Sequence, residues 1–342
     1  MALDSTPSKP IAPTMNRRAV IATTPGDFVA EHSVGASVTT EARNRPIAVP
    51  VTAEELDGMA PASPVEPGVA EPAVEEPHAA TAEVPVHPVK RVDFMGVPLD
   101  VLRTEDVLAK IGELCAQNGR VHTLIYLNAH TYCQNFSDAQ YHEVVRNADL
   151  VYPDGMSIVW GSRIIGRPVP VKLTLSDMIH PIAEYAAKNG MGIYLLGGKP
   201  GVAERAANAL KVGNPDLQIA GTQHGFFSQA ENATIVESIN RAKPHILLVG
   251  MGAPYQEKWV GENLDALKVP VCIPCGGLFN FLSGDTPRAP SWMSDNGLEW
   301  FFRLCVEPRR LWKRYSYENF RFAWSLGRYL LRRSQGPRHD ER

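Results

Sequence analysis

Six short apolar runs separated by amphipathic helical patterns predict an α/β fold, with a mostly parallel sheet covered by helices on both faces. Two shifts in composition frame that core. Residues 1–90 are rich in proline and nearly without aromatic side chains, and residues 298–342 turn to arginine and aromatic residues. The chain therefore divides into a tail (1–90) expected to be disordered, an α/β core (91–297) and a basic, aromatic, helical appendage (298–342).

The tail holds 13 of the 28 prolines, 12 acidic and 6 basic side chains, and Phe28 as its one aromatic residue. Such a segment buries too little apolar surface to offset chain entropy. From Val92 onward the strands read as Val121–Leu127, Asp149–Tyr152, Gly192–Leu196, Leu217–Thr222, His245–Val249 and Val271–Pro274. The helical patterns run over Thr104–Gln117, Ala139–Asn147, Leu175–Lys188, Val202–Leu210, Gln229–Arg241 and Tyr255–Leu267. From Phe301 to the end, ten arginines and one lysine face four carboxylates, a net +7 in a chain of net charge −3. Trp312, Tyr315, Tyr317, Phe320, Phe322, Trp324 and Tyr329 interleave with them. That pattern suits an interfacial helix on anionic lipid, or a solvated helix packed on its own domain. Nucleic acid is not expected as a partner, because the rest of the chain is not basic.

No run of about 20 apolar residues predicts a spanning helix. Arg17 and Arg18 are not followed by the apolar stretch of a secretory signal. The five cysteines are scattered; Cys272 and Cys275 form a CxxC inside an apolar run and read as buried strand residues. The cytoplasm is the default compartment.

In a doubly covered parallel sheet, ligands bind at the carboxyl ends of the strands. Asn128, Asp154, Gly197–Gly201, Gly225, Gly250–Gln256 and Gly276–Asn280 all follow strands and are expected on one rim. Gly198, Lys199 and Gly201 bridge a strand to a helix, where free N–H groups suit a diphosphate; an ordinary tight turn reads the same way. It is neither a Walker A nor a GxGxxG loop, which excludes the usual dinucleotide dehydrogenase pattern. Gly252, Gln256 and Glu257 form a second such loop, whose amide and carboxylate can read a base or ribose or simply start a helix. Asp154 in Pro-Asp-Gly is a general-base candidate or plain turn chemistry. Histidines and carboxylates show no metal-ligand spacing, and GxSxG is absent. Arg288, Arg303, Arg309, Arg310, Lys313 and Arg314 supply cations suited to phosphate oxygens. One base and a cationic clamp on a departing pyrophosphate, without a metal, fit these residues.

Taken together, LNAH (127–130), ADLVYPDG (148–155), LLGGKPG (195–201), GTQHGFF (221–227), GMGAPYQE (250–257), GGLFNFLSG (276–284), GLEWFFR (297–303) and EPRR (307–310) resemble the bacterial WecG/TagA/CpsF glycosyltransferases from about Val92 to Tyr315. The resemblance implies a Rossmann-like core with a C-terminal appendage. It implies transfer of a sugar from a UDP-sugar to a polyprenyl-diphosphate-linked sugar, with inversion and without an essential metal or other cofactor. Asp154 matches the proposed base, Asn128 the asparagine of the same pocket, and Gln256 the glutamine of the PxQE motif. Arg303 and Arg310, with Lys313, match appendage cations that close over the diphosphate. The appendage is also implied to dock on the cytoplasmic membrane face, and a second copy of the chain is an admissible partner. Tyr126 stands where members carry Thr, Lys172 for Arg, Leu175 for Gly, Tyr255 for Lys and Asn280 for Asp. These positions are expected to line the donor, so the transferred sugar is left open among N-acetylmannosaminyl, N-acetylmannosaminuronosyl and glucosyl types. A non-catalytic UDP-sugar-binding scaffold is the alternative reading.

Overall fold

The computed structural model describes residues 89–117, 119–295 and 297–335, so nearly all of the tail lies outside them. The strands are β1 (Lys90–Phe94), β2 (Val97–Val101), β3 (His122–Leu127), β4 (Leu150–Pro153), β5 (Ile193–Gly197), β6 (Ile219–Gln223), β7 (Ile246–Gly250) and β8 (Val271–Pro274). The helices are α1 (Thr104–Ala116), α2 (Ala129–Ser137), α3 (Ala139–Arg146), α4 (Met156–Ile164), α5 (Leu175–Lys188), α6 (Val202–Gly213), α7 (Asn232–Ala242), α8 (Tyr255–Asn263), α9 (Leu278–Leu282), α10 (Ser291–Asp295), α11 (Glu299–Val306) and α12 (Pro308–Gln335).

Six strands form one parallel sheet in the order β4-β3-β8-β7-β5-β6. Strands β5, β7 and β8 are buried at every position, as expected where helices cover both faces. One core lies between the sheet and α1, α5 and α6, with Leu124, Leu195, Leu248 and Ile273 against Ile111, Ile182 and Leu210. On the opposite face, α2, α3 and α4 cover one half of the sheet, and α7 and α8 the other. The chain steps outward from β3 to β4 and from β5 to β6, then returns through β7 and β8. Connections therefore diverge at β3/β8 and at β5/β7, and each divergence opens a crevice at the carboxyl ends.

A hairpin that the sequence reading did not contain, β1/β2, extends the structure beyond β4. Its two-residue turn puts Met95 at φ 50° and Gly96 at φ 88°, a left-handed pair that matches strand twist. Asp100 on β2 is 1% exposed; it takes two hydrogen bonds from Arg91 at 2.8 Å each and one from Val151 N of β4 at 2.7 Å. A buried carboxylate needs that full set of donors.

The expected C-terminal helices are present as α11 and α12. Phe322 of α12 is 6% exposed and stacks with Phe94, while Leu311 is 2% exposed. Arg333 Nη1 donates to Ile165 O at 2.5 Å. The helix therefore packs on its own domain, while Trp312, Tyr317, Phe320 and Trp324 remain outward. The reading of a helix packed on its own domain holds for the face that carries Leu311 and Phe322. Cys272 and Cys275 are free and buried, as the apolar run predicts.

Candidate active site

Strand β3 ends at Leu127, and Asn128 caps α2. Asn128 Oδ1 accepts from Thr131 N at 3.0 Å, and Asn128 N donates to Thr131 Oγ1 at 2.8 Å. This reciprocal box fixes the amide and leaves Nδ2 pointing away from the helix, where it donates to Asp154 Oδ2 at 2.9 Å. Asp154 follows β4, its own N–H donates to Leu127 O at 2.8 Å, and Gly155 turns the chain into α4 at φ 88°. The Pro-Asp-Gly turn is thus real, and it also aims the carboxylate. Crowding by protein raises the Asp154 pKa to about 6. The Asn128 hydrogen bond opposes that rise, Glu299 adds to it, and Arg303 and Lys172 oppose it through space. The residue keeps a partly open face. A carboxylate of this kind is ionised at neutral pH yet a stronger proton acceptor than an exposed one.

Helix α11 supplies Glu299 and Arg303, one turn apart. Arg303 lies with its guanidinium carbon 5.0 Å from the Phe281 ring centre, and its Nη2 is 3.7 Å from where a Cβ on Gly277 would stand. Its buried Nε finds no hydrogen-bond partner among the described residues. Glu299 was not among the sequence-derived candidates. Its i, i+4 spacing from Arg303 within GLEWFFR is the signal that could have found it. Lys172 is committed in part: Nζ donates to Ser294 O at 3.1 Å and lies 3.6 Å from Asp177, which also pairs with Arg288. The side chains of Arg310 and Lys313 lie outside the described residues.

Gln256 and Glu257 correct the sequence reading. Both are 0% exposed, so neither side chain reaches a base or ribose here. Gln256 Oε1 accepts from Gly252 N at 3.1 Å and Gly276 N at 2.9 Å, while Nε2 donates to Glu257 Oε1 at 2.8 Å and Tyr126 Oη at 3.2 Å. Every hydrogen-bonding position of the amide is used. Gln256 therefore staples the loops after β7 and β8 to β3 and shapes the rim from beneath. Tyr126 and Gly252 belong to this staple.

The loop of Gly198, Lys199 and Gly201 sits at the end of β5. It is stitched by Gly198 N to Gly250 O at 3.0 Å and Gly225 N to Gly198 O at 2.8 Å. A Cβ on Gly197 would stand 2.3 Å from Gly250 O, so glycine is required for that closure. Strand β5 is three positions from β3. Three strand spacings are roughly 14 Å. Asn128, after β3, therefore stands well away from this loop, while Arg303, over Gly277 after β8, stands closer to it in strand order. Asn280 is half-buried on α9, shortly after β8, and its carbonyl accepts from Thr286 N at 2.9 Å. The structure brings together Asn128, Asp154, Lys172, Glu299 and Arg303, and sets the β5 loop apart.

Comparison with known proteins matches residues 92–336 to the family described as Glycosyl transferase WecG/TagA/CpsF. The N-acetylglucosaminyldiphosphoundecaprenol N-acetyl-beta-D-mannosaminyltransferase of Bacillus subtilis (strain 168) is 32% identical over 177 residues, 52% of this chain and 68% of that protein. The protein of the same name from Bacillus spizizenii is 27% identical over 175 residues, 51% of this chain and 67% of its own. The chain is a member of the WecG/TagA/CpsF glycosyltransferase family.

Proposed function

We propose that the protein is an inverting glycosyltransferase that moves a sugar from a UDP-sugar to a saccharide carried on a polyprenyl diphosphate. The observation that carries this reading is the Asn128–Asp154 hydrogen bond, on a carboxylate that also feels Arg303 and Lys172. The relatives are named for an acceptor of this class, which supports the lipid-linked acceptor.

In this mechanism the acceptor hydroxyl attacks the anomeric carbon opposite the leaving group. Asp154 takes the hydroxyl proton, the new glycosidic C–O bond forms, and the bond from the anomeric carbon to the β-phosphate oxygen breaks. The electron pair leaves on UDP, and Arg303 meets the developing charge. Because Arg303 supplies that cation, a metal is not required in this reading. The Gly198–Gly201 loop, roughly 14 Å from β3, suits the far end of the nucleotide rather than the departing oxygen.

The membrane supplies the acceptor. No helix among the described residues is long and apolar enough to cross it. Trp300, Phe301, Trp312 and Trp324 are exposed beside the arginines of α11 and α12. Peripheral attachment to an anionic cytoplasmic leaflet fits that surface. The test is UDP release by the purified full chain from a panel of UDP-sugars, with and without a synthetic polyprenyl-diphosphate N-acetylglucosamine. Acceptor-dependent release with one donor establishes the transfer and names the sugar. Bound UDP with no release from any pair, in solution or on anionic vesicles, overturns it.

A further inference from the structure

Two helices meet directly behind the base. His130 lies on the first turn of α2, between Asn128 and Thr131, the two residues of the box that aims Asn128 at Asp154. Its Nδ1 is 2.7 Å from Glu318 Oε1 of α12, and the two side chains are only 12% and 15% exposed. With Glu318 as carboxylate, Nδ1 carries the hydrogen and donates it. The contact is not isolated. Cys133 Sγ donates to Glu318 O at 3.6 Å, Tyr132 packs edge-on to Phe322 at 5.3 Å, and Ser325 shares a hydrogen bond with Tyr132. His130, Tyr132 and Cys133, in α2's first turns, are therefore each held by α12. Helix α12 in turn follows α11, which carries Arg303 and Glu299, with a single residue between them.

We propose that His130 and Glu318 form a latch through which the seating of α12 positions the Asn128–Asp154 pair. His130 and Glu318 are positioning residues; neither touches the reacting atoms. The inference rests on the reading of Asp154 as base. When the latch is closed, the first turn of α2 is fixed and Asn128 Nδ2 stays within hydrogen-bond reach of Asp154. When it opens, the cap residue loses its outside support, and Asp154 loses the donor that favours its charged form. One helix would then set both halves of the site, the cation through α11 and the base through α2. A protein whose acceptor lies in a membrane gains from this, because seating of the exposed aromatic face of α12 is felt at the catalytic carboxylate.

The physical signature separates this from simple packing. The groups facing Asp154 are Asn128 from the α2 cap, Glu299 and Arg303 from α11, Lys172 from the loop before α5, and Tyr152 from β4. Of these the latch acts on Asn128. Its loss removes the largest of the contributions that lower the Asp154 pKa, so the acid limb of the kcat profile moves to higher pH. Loss of packing alone lowers the amount of folded enzyme and leaves the limb in place.

The test compares His130→Ala, His130→Asn and Glu318→Leu with the parent full chain, by steady-state kinetics across pH on anionic vesicles bearing the acceptor. Asparagine keeps a donor close to the position of Nδ1. We expect His130→Ala to lower kcat about tenfold with donor KM within about twofold, and to shift the acid limb upward. His130→Asn should recover most of the loss. Kinetics within twofold of the parent for His130→Ala, or equal losses in Ala and Asn with no movement of the limb, overturn the latch. If His130→Ala does not fold, Glu318→Leu, which removes the acceptor at similar volume, is decided by the same two readouts. Asp154→Asn is run beside them. An active Asp154→Asn defeats the base reading, whereas an inactive Asp154→Asn with unaltered latch variants defeats only the latch.

Discussion

Two carboxylates flank strand β4, and they are held in opposite ways. Asp100, at the hairpin, receives two hydrogen bonds from Arg91 and one from Val151 N. Asp154, at the far end of the strand, receives one from Asn128 and has Glu299 as a like-charged neighbour. The first is saturated and holds the hairpin to the sheet. In the second, burial raises the pKa to about 6 and the single Asn128 donor does not offset it, so part of its bonding capacity stays open. Burial alone does not distinguish a structural carboxylate from a reactive one; the number of donors does.

The sharpest way to break this comparison is to neutralise each carboxylate. Asp154→Asn should lower kcat by about 10³-fold or more while leaving the donor Kd within about twofold. Near-normal turnover would remove Asp154 from the mechanism. The same substitution should raise Tm at pH 7. A carboxylate whose folded pKa is raised destabilises the fold increasingly as pH climbs from its ordinary value of 3.8 to about 6, and Asn lacks that penalty. Below pH 4 the parent and the variant should melt alike, which scanning calorimetry at two pH values checks.

Next in size is Arg303→Ala, expected to lower kcat about 100-fold, with Arg303→Lys intermediate, since a point charge replaces the fork. Equal kcat for all three proteins would exclude Arg303 from the clamp. Asp100→Asn should do the reverse of Asp154→Asn. It costs about 2 kcal/mol, discounted because Arg91 is 40% exposed, and leaves kcat per folded molecule within about twofold. A stable but inactive Asp100→Asn would erase the distinction between the two sites. The smallest effect is one of pH. In the parent, kcat/KM should fall about tenfold per unit below about pH 6 as Asp154 binds its proton. In Asn128→Ala that limb should move upward, since the donor favouring the charged form is gone.

How much of this was legible beforehand differs by element. The six parallel strands were, because runs such as ILLVG and IYLLG are apolar on both faces and follow turn residues. The β1/β2 hairpin was not. Its turn uses Met95 at positive φ, and Met-Gly is not a common turn signature. Helix α2 was missed because Ala129–Ser137 is too polar to show a stripe, though Asn128 and Thr131 are a cap pair in plain view. Gln256 was noticed for its motif but given to a ligand; its saturation by Gly252, Gly276, Glu257 and Tyr126 is a property of two loops and a strand meeting at one helix start.

The amino-acid sequence by itself determined the sheet, the rim on which polar residues follow strands, and the basic aromatic helices at the end, because local periodicity and composition encode them. Only the tertiary structure decided which rim residues act together. Asp154 meets Asn128 across 26 positions and feels Arg303 from nearly 150 further on. Whether a carboxylate is saturated or left reactive depends on donors brought by other elements, and strand order fixes which donors arrive.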